Sequence, residues 1–431
     1  MKVKMITLGC KVNQYESEAM LSSLLQNGFS AACDTEPADV VVLNSCTVTA
    51  ESDRKVRQIF RRAKKDNPDA VMVLTGCMAQ AFPEDAKRLE EADIILGTSN
   101  RQRLLPDLLA FLSARQRIID IAPHTSDEKF ERLEVDSFTG RTRAFVKIED
   151  GCNRFCSYCI IPYARGRVRS KPLEDLKKEL RQLAENGYRE VVLTGINLSA
   201  YGQEFGLHLC DAIEAACAVD GIERVRLGSL EPEQLSEDVI RRMAGQEKLC
   251  PQFHLSLQSG CDATLKRMNR HYTADEYRTI VRNLRAAFNN AAITTDIMVG
   301  FAGETDEEFR ASLEFAKEIA FAKVHVFAYS RRPGTRAYDM GDQLTNTVKE
   351  ARSREMIRVT TDTQHQFFAS QVGRTERVLF ERAVSEGVYE GYSMNYTPVA
   401  AESDTPLAGK ILDVCIEGFN ETHCTGKIEN P

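Results

Sequence analysis

The chain has 431 residues, 43% of them hydrophobic, and a formal net charge of -7. It can therefore bury the cores of roughly two to four domains, and it has no general attraction for polyanions. Its longest apolar runs fall far short of the roughly 20 residues that span a membrane, and the N-terminus MKVKMITLGC lacks the apolar segment of a signal peptide. We expect a cytoplasmic protein without membrane contact, in which thirteen cysteines favour metal binding or catalysis over disulfides.

Three short apolar runs in the first third of the chain each end in a small residue and a cysteine: VKMITLGC, DVVVLNSC and AVMVLTGC. The runs predict buried parallel strands, and helical segments lie between them. This alternation predicts a doubly wound α/β domain over residues 1–121. Because the carboxyl ends of parallel strands share one edge of a sheet, we expect Cys10, Cys46 and Cys77 to lie close together.

The helix predicted after Cys46 is strongly basic, with seven Lys or Arg residues between Arg54 and Lys65. Such a run indicates either a solvated outer face or a surface that contacts RNA phosphates. After this domain, residues 122–140 (APHTSDEKFERLEVDSFTG) are polar and without apolar periodicity, which predicts an interdomain linker.

The middle of the chain, residues 141–368, resumes the alternation with six candidate strands: AFVKIED, EVVLTGI, RVRLGS, QFHLSL, ITTDIMVGF and KVHVFAYS. Parallel strands with helices between them predict an open, partial (β/α)6 barrel. Residues 369–431 change to short alternating runs broken by Gly and Pro, which predict a small antiparallel β-barrel.

Three cysteines at spacing C-x3-C-x2-C, Cys152, Cys156 and Cys159, directly follow the first strand of the predicted central barrel, where catalytic groups of such folds collect. Three thiolates can bind three irons of a [4Fe-4S] cluster and leave the fourth iron open to a substrate or cofactor. A structural zinc site needs a fourth cysteine or histidine, normally in paired C-x2-4-C units, and none lies close in the sequence. Zinc and inert thiols stay as alternatives.

Seven stretches resemble the methylthiotransferase family of the radical S-adenosylmethionine (SAM) superfamily across nearly the whole chain: TLGCKVNQYES, NSCTVT, GCMAQ, GCNRFCSYCIIPYARGR, LQSGCDATLKRM, TDIMVGFAGET and YSRRPGTRA. The resemblance implies an N-terminal cluster domain, a radical SAM barrel and a C-terminal barrel called TRAM. It implies two [4Fe-4S] clusters, one that cleaves SAM and an auxiliary one. Their implied ligands are Cys152, Cys156 and Cys159 for the first and Cys10, Cys46 and Cys77 for the second.

The resemblance also implies contacts to SAM from the cluster loop, a strand end and the VGFAGE turn. The implied residues are Tyr158, Thr194, Gly195, Asn197, Gly300 and Glu304. A glycine after a strand is also ordinary turn chemistry, and Glu304 can equally open a helix. The implied partners are the anticodon loop of tRNA and an electron donor of flavodoxin or ferredoxin type.

The substrate within the family is indicated by TLGCKVNQYES and ARGRVRS, which resemble the type that modifies threonylcarbamoyladenosine beside the anticodon at C2. The alternatives are prenylated adenosine in tRNA, an aspartate of a ribosomal protein, and a cluster-bearing RNA-binding protein without catalysis. Threonylcarbamoyl ends in a carboxylate that an arginine can hold bidentately. Arg165, Arg167 and Arg169 are therefore predicted to bind substrate, with Arg167 or Arg169 on the carboxylate; contact with tRNA phosphates is the alternative.

The C-terminal segment departs from what an RNA-binding barrel needs. From Ser370 to Pro431 it has five Lys or Arg and ten Asp or Glu residues, and this negative charge opposes contact with phosphates. Tyr389, Tyr392 and Tyr396 either stack on unpaired bases or belong to the core.

Overall fold

Three bodies of secondary structure follow one another in the computed structural model, which describes residues 1–33, 36–133, 135, 138 and 141–429. The strands of the first body are β1 (Lys2–Thr7), β2 (Ser30–Ala31), β3 (Val40–Ser45), β4 (Val71–Gly76), β5 (Ile94–Leu96) and β6 (Ile118–Asp120). Its helices are α1 (Lys11–Gln26), α2 (Ala50–Asp66), α3 (Cys77–Ala81), α4 (Pro83–Lys87) and α5 (Leu104–Ala114).

The first body is the predicted doubly wound α/β domain. Its strands form a parallel sheet in the order β2-β1-β3-β4-β5-β6. Alternate residues of a strand face opposite sides of a sheet, so Val41 and Leu43 pack with α2, whereas Val40 and Val42 pack with α1 and α5. Both faces of the sheet are therefore covered, and the carboxyl edge is left for a functional site.

The second body is an open parallel barrel. Its strands are β7 (Arg143–Lys147), β8 (Glu149–Asp150), β9 (Arg169–Ser170), β10 (Glu190–Thr194), β11 (Arg224–Leu227), β12 (Ser229–Leu230), β13 (Gln252–Leu255), β14 (Ala292–Val299) and β15 (Lys323–Ala328). Its helices are α6 (Ile161–Arg165), α7 (Leu173–Glu185), α8 (Leu209–Cys217), α9 (Glu237–Ala244), α10 (Asp262–Arg267), α11 (Ala274–Ala287), α12 (Asp306–Ile319) and α13 (Asn346–Gln371).

The wall of this barrel consists of two parallel sheets, β11-β10-β7 and β12-β13-β14-β15. The chain passes from one sheet to the other at Gly228, between β11 and β12. Among the described residues β7 and β15 do not pair with each other. The barrel is therefore open on that side, as predicted.

The third body is a closed barrel of β16 (Thr375–Ser385), β17 (Val388–Ser393), β18 (Pro398–Glu402), β19 (Ile411–Phe419) and β20 (Cys424–Ile428), in the order β16-β17-β18-β20-β19. β18 pairs with β20 in parallel, whereas the other ladders are antiparallel. The prediction of a small barrel is confirmed with that one difference.

The joints between the bodies are packed. α13 crosses the predicted boundary at residue 368, because Met356 and Val359 belong to the central core and Phe368 to the C-terminal core. Part of the predicted linker, residues 134, 136, 137, 139 and 140, lies outside the described residues. Val135 and Phe138 are buried in the central core. Within the described ranges, no helix combines the length and apolar character that crossing a membrane requires.

Candidate active site

The first cysteine triad lies at the carboxyl edge of the N-terminal sheet, as predicted. β1, β3 and β4 are neighbours in the sheet, and Cys10, Cys46 and Cys77 follow them. Each pair among the three thiols interacts electrostatically. Burial raises the pKa of Cys10 and raises that of Cys46 to about 12. Because the thiolate is the ligand, iron binding here has to displace protons.

Two glycines allow these strand ends to approach each other. Gly76, with φ of 98°, precedes Cys77, and a Cβ on it would lie 2.5 Å from the backbone oxygen of Ser45. Gly9, with φ of 112°, precedes Cys10, and a Cβ there would lie 2.9 Å from the Cβ of Cys46. Both positions need a residue without a side chain and with a left-handed backbone.

The second triad lies in the loop between β8 and α6. The backbone N–H of Cys152 donates to the carbonyl of Gly166 at 3.0 Å, and that of Ser157 donates to the carbonyl of Met268 at 2.9 Å. The three thiols of Cys152, Cys156 and Cys159 interact electrostatically, and burial raises the pKa of Cys159 to about 12. The loop is thus anchored on both of its sides by backbone hydrogen bonds.

The two triads suit iron–sulfur clusters better than a single ion. Among the described residues, no three His, Cys, Asp or Glu side chains converge as one metal ion requires. In a [4Fe-4S] cluster each thiolate binds a different iron, so the cysteines surround a larger body. Three mutually interacting thiols in each triad fit that arrangement.

The strand end at Thr194 and Gly195 fits the amino group of SAM. Glu149 Oε1 and Asn197 Oδ1 are buried acceptors without a hydrogen-bond partner among the described residues, and an ammonium group supplies donors for both. A Cβ on Gly195 would lie 2.6 Å from Glu149 Oε2, which instead accepts the Asn197 N–H at 2.7 Å. Burial raises the pKa of Glu149 well above its usual range.

The other implied SAM contacts occupy less open positions. Tyr158 packs edge-on against Phe301, with ring centroids 6.3 Å apart. Glu304 accepts the Gly300 N–H at 2.7 Å and pairs with Arg352 of α13 at 2.6 Å. Glu304 therefore holds its own turn against α13, and the capping role at the start of α12 belongs to Thr305.

One thiol in each triad accepts a hydrogen bond from an arginine. Arg165 Nε lies 3.3 Å from Cys77 Sγ, and Arg270 Nη1 lies 3.3 Å from Cys156 Sγ. Arg270 is fixed by Glu231, whose carboxylate its Nη2 approaches to 2.5 Å. The sequence interpretation missed Arg270, although it lies two residues beyond the LQSGCDATLKRM stretch.

Arg165 also belongs to a buried ion network that joins the N-terminal domain to the barrel. Its guanidinium contacts Glu16 of α1 at 2.5 Å and Asp150 of β8 at 3.3 Å. Lys147 contacts the same two carboxylates at 2.7 and 2.6 Å, and Arg101 contacts Glu16 at 3.0 Å. No sequence pattern points to Glu16, because its partners come from three distant segments.

The three arginines predicted to bind substrate lie in different surroundings. Arg165 is fully buried in the network. Arg169 is buried as well, donates to the carbonyls of Arg165 and Arg167 at 2.8 Å, and lies 3.5 Å from Asp150. Arg167 is exposed, beside the exposed rings of Phe155 and Tyr163. Because Arg165 and Arg169 already face carboxylates, Arg167 is the member of this set available to a ligand.

A cavity of about 840 Å³ is lined by strands of the central barrel and by residues of the N-terminal and C-terminal bodies. Cys10 and Lys11 line it from the N-terminal domain, Thr194 and Gly195 from the end of β10, and Asp296 from β14. It therefore adjoins both the first triad and the strand end that fits SAM. Its volume is typical of pockets for small ligands.

The C-terminal barrel closes one end of this cavity with the side chains of Tyr392 and Tyr396. Their rings stack with centroids 4.5 Å apart, and Arg143 lies 5.1 Å from both. Arg226 lies 4.6 Å from the Tyr396 ring. These two tyrosines hold the C-terminal barrel on the central one, so they favour the core alternative over stacking on RNA bases.

Comparison with known families agrees with this architecture. The model of the Radical SAM superfamily matches residues 146–316, and that of the Uncharacterized protein family UPF0004 matches residues 2–97. Threonylcarbamoyladenosine tRNA methylthiotransferase MtaB of Bacillus subtilis (strain 168) is 37% identical over 416 residues, which are 95% of this chain and 92% of that protein. The chain belongs to the radical SAM tRNA methylthiotransferase family.

Other relatives of this methylthiotransferase carry two different names. MtaB of Thermotoga maritima is 38% identical, covering 91% of this chain and 90% of that protein. The tRNA-2-methylthio-N(6)-dimethylallyladenosine synthase of Pelotomaculum thermopropionicum is 35% identical, covering 99% of this chain and 97% of that protein. Overall identity therefore does not separate the two substrate types.

A solved structure shares the fold of this methylthiotransferase. The radical S-adenosylmethionine methyltransferase TsrM from Kitasatospora setae has a TM-score of 0.58 at 14% identity, covering 89% of this chain and 79% of that one. Family membership makes the chain an enzyme that methylthiolates tRNA with SAM and a [4Fe-4S] cluster. The alternative of an RNA-binding protein without catalysis is therefore wrong.

Proposed function

We propose that this enzyme methylthiolates C2 of threonylcarbamoyladenosine beside the anticodon of tRNA. The observation that carries the proposal is the single cavity that adjoins both Cys10 and the Thr194–Gly195 strand end. A base in that cavity lies between the first triad and the place that fits SAM. The TLGCKVNQYES stretch around Cys10 supports threonylcarbamoyl over a prenyl group, and the near full-length relatives named MtaB are compatible with that substrate.

The proposal includes two [4Fe-4S] clusters, on Cys152, Cys156 and Cys159 and on Cys10, Cys46 and Cys77. When bound, the cluster on the second triad would supply the electron that splits SAM into methionine and a hydrogen-abstracting radical. The cluster on the first triad would supply the sulfur. The chain's own part is to orient these groups. Glu149 and Asn197 hold the amino group of SAM, while Arg165 and Arg270 each donate to one cysteine sulfur.

The tRNA contacts in the proposal come from exposed cations outside the cavity. On α2, Lys55 and Lys65 are exposed and have no ion pair with the described part of the chain, so they are open to phosphates. Arg167 adds a further cation beside Phe155 and Tyr163. An electron donor of flavodoxin or ferredoxin type is the second proposed partner, because splitting SAM consumes an electron that side chains of the chain do not provide.

Replacing Arg167 by Ala is expected to weaken binding of modified and unmodified anticodon stem-loops alike. An exposed arginine on a phosphate contributes an attraction independent of the base, and its loss lowers the slope of log affinity against log salt by about one unit. Anaerobic binding titrations at several salt concentrations measure both quantities. Arg181→Ala, which removes an exposed arginine from α7, serves as the control. A loss confined to the modified stem-loop would instead place Arg167 on the threonyl carboxylate.

The substrate is tested by offering matched anticodon stem-loops to anaerobically reconstituted enzyme with SAM and a reductant. One stem-loop carries threonylcarbamoyladenosine, a second prenylated adenosine and a third unmodified adenosine. Mass analysis of the nucleosides is expected to show a methylthio group on the first alone. Conversion of the prenylated stem-loop, or of a ribosomal-protein aspartate offered in parallel, would replace the proposed substrate.

A further inference from the structure

Lys11 is the cation closest in sequence to the first triad, and its surroundings set it apart from the other cations of the cavity wall. It follows Cys10, begins α1 and is half-buried on the cavity wall. It makes no hydrogen bond or ion pair with the described part of the chain. A lysine ammonium carries three donors, and here none of them has a partner.

The basic residues beside Lys11 already have carboxylate or carbonyl partners. Arg226, Arg224 and Arg143 share the carboxylate of Glu190, at 2.9, 3.4 and 3.8 Å respectively. Arg224 and Arg226 also donate to backbone carbonyls of the C-terminal barrel. Arg143 pairs with Glu381 at 2.6 Å.

This part of the wall therefore carries more positive than negative charge. Arg143 and Arg226 lie near enough to Lys11 to repel it, and each of the two groups that attract it, Glu190 and Cys10, acts more weakly than either arginine. An excess of positive charge away from bulk water is costly unless an anion neutralises it. The cavity wall at Lys11 is thus suited to a negatively charged ligand.

We propose that Lys11 binds the threonyl carboxylate of threonylcarbamoyladenosine and so selects this substrate over prenylated adenosine. The inference rests on the proposed function and deepens it. C2 and the C6 that carries the N6 substituent are both bonded to N1 of adenine, so a base whose C2 faces Cys10 keeps its substituent nearby. A prenyl group has no hydrogen-bond acceptor or negative charge for an ammonium group to bind. It would therefore leave the positive charge of Lys11 without a neutralising partner.

Three other basic groups on the cavity wall are less suited than Lys11 to bind an anion. Burial lowers the pKa of His325, which favours its uncharged form. Lys323 donates to Gln364 at 2.9 Å. His254 lies 3.4 Å from Asp296 and 3.1 Å from the hydroxyl of Thr294. Phosphates do not explain Lys11 either, because a stem-loop inserts its base into such a cavity and keeps its backbone outside.

The test compares three anticodon stem-loops: one with threonylcarbamoyladenosine, one with its carboxylate converted to a methyl ester, and one with unmodified adenosine. Their affinities are measured anaerobically with wild-type enzyme, Lys11→Met, Lys11→Arg and Lys323→Gln. We expect Lys11→Met to lose about 10- to 100-fold in affinity for the carboxylate form, and to bind the ester and the unmodified form as the wild type does. Lys11→Arg and Lys323→Gln are expected to keep the preference.

Several outcomes overturn the proposal. Equal losses for all three stem-loops in Lys11→Met mean a phosphate contact or a damaged fold, and iron content close to the wild-type value then points to the former. If Lys11→Met keeps the wild-type preference for the carboxylate form, or if Lys323→Gln loses it, a residue other than Lys11 binds the carboxylate. If the wild-type enzyme shows no preference for the carboxylate form and does not convert it, the proposed function fails as well. A wild-type preference that survives in Lys11→Met removes the Lys11 assignment alone.

Discussion

Replacing Cys152, Cys156 and Cys159 together by Ala is expected to abolish SAM cleavage and to remove about half of the roughly eight irons of two [4Fe-4S] clusters. The reason is that these thiols are the predicted ligands of the cluster that reduces SAM, while the first triad lies in another domain. Iron analysis after anaerobic reconstitution and chromatography of 5′-deoxyadenosine measure the two effects. Cys33→Ala, which removes an exposed cysteine outside both triads, is the control and should lose no iron.

The matching variant with Ala at Cys10, Cys46 and Cys77 separates the roles of the triads. It should keep the other half of the iron and continue to release 5′-deoxyadenosine, while the methylthiolated nucleoside disappears. Iron content unchanged in either triple variant, or zinc in place of iron, contradicts the assignment of two clusters. So does the loss of SAM cleavage from a variant that lacks Cys10, Cys46 and Cys77 but keeps its fold and the cluster on Cys152, Cys156 and Cys159.

Arg165→Met is expected to destabilise the protein by about 3–5 kcal/mol, because it leaves Glu16 and Asp150 buried with less compensating charge. Urea denaturation of the wild-type and variant proteins measures the free energy of unfolding. Arg61→Met removes an exposed arginine that pairs with Glu91 at 3.2 Å and should cost less than about 1 kcal/mol. A similar small cost for Arg165→Met would show that the network contributes little to holding the domains together.

The same network predicts how stability depends on pH. Burial alone raises the pKa of Glu16, but Arg101, Arg165 and Lys147 lower it to about 2. A carboxylate with a lowered pKa stabilises the folded state above its unfolded pKa of about 4.3, and this contribution is lost as the pH falls toward 2. Urea midpoints should therefore fall between pH 5 and pH 3, and Glu16→Gln should flatten that decline.

Local patterns predict most of this fold because each depends on residues that are close in the chain. The six apolar stretches predicted as barrel strands all contain parallel strands. Thr273 with Glu276 and Thr305 with Glu308 form capping boxes that begin α11 and α12, and each depends only on a Thr and a Glu three positions apart. The convergence of Cys10, Cys46 and Cys77 follows from strand adjacency alone.

Contacts between distant segments are what sequence patterns do not predict. Arg165 stands in the basic stretch ARGRVRS and reads as a surface cation, yet its partner Glu16 lies 149 positions earlier. The sequence leaves open whether Tyr396 stacks on RNA bases or belongs to the core, whereas the structure places Arg143 and Arg226 of the central barrel over its ring. Lys11 stands out only in the structure, which shows the cavity that it lines and the carboxylates that the neighbouring arginines contact.

The most direct test of the central claim uses an anticodon stem-loop whose threonylcarbamoyladenosine carries deuterium at C2. The enzyme is incubated anaerobically with this RNA, SAM and a reductant, and the 5′-deoxyadenosine that is released is analysed by mass spectrometry. Direct removal of the C2 hydrogen by the SAM-derived radical predicts deuterium in 5′-deoxyadenosine, together with a methylthio group on the nucleoside. A methylthiolated nucleoside without deuterium in 5′-deoxyadenosine, or 5′-deoxyadenosine release with the RNA unchanged, would contradict it.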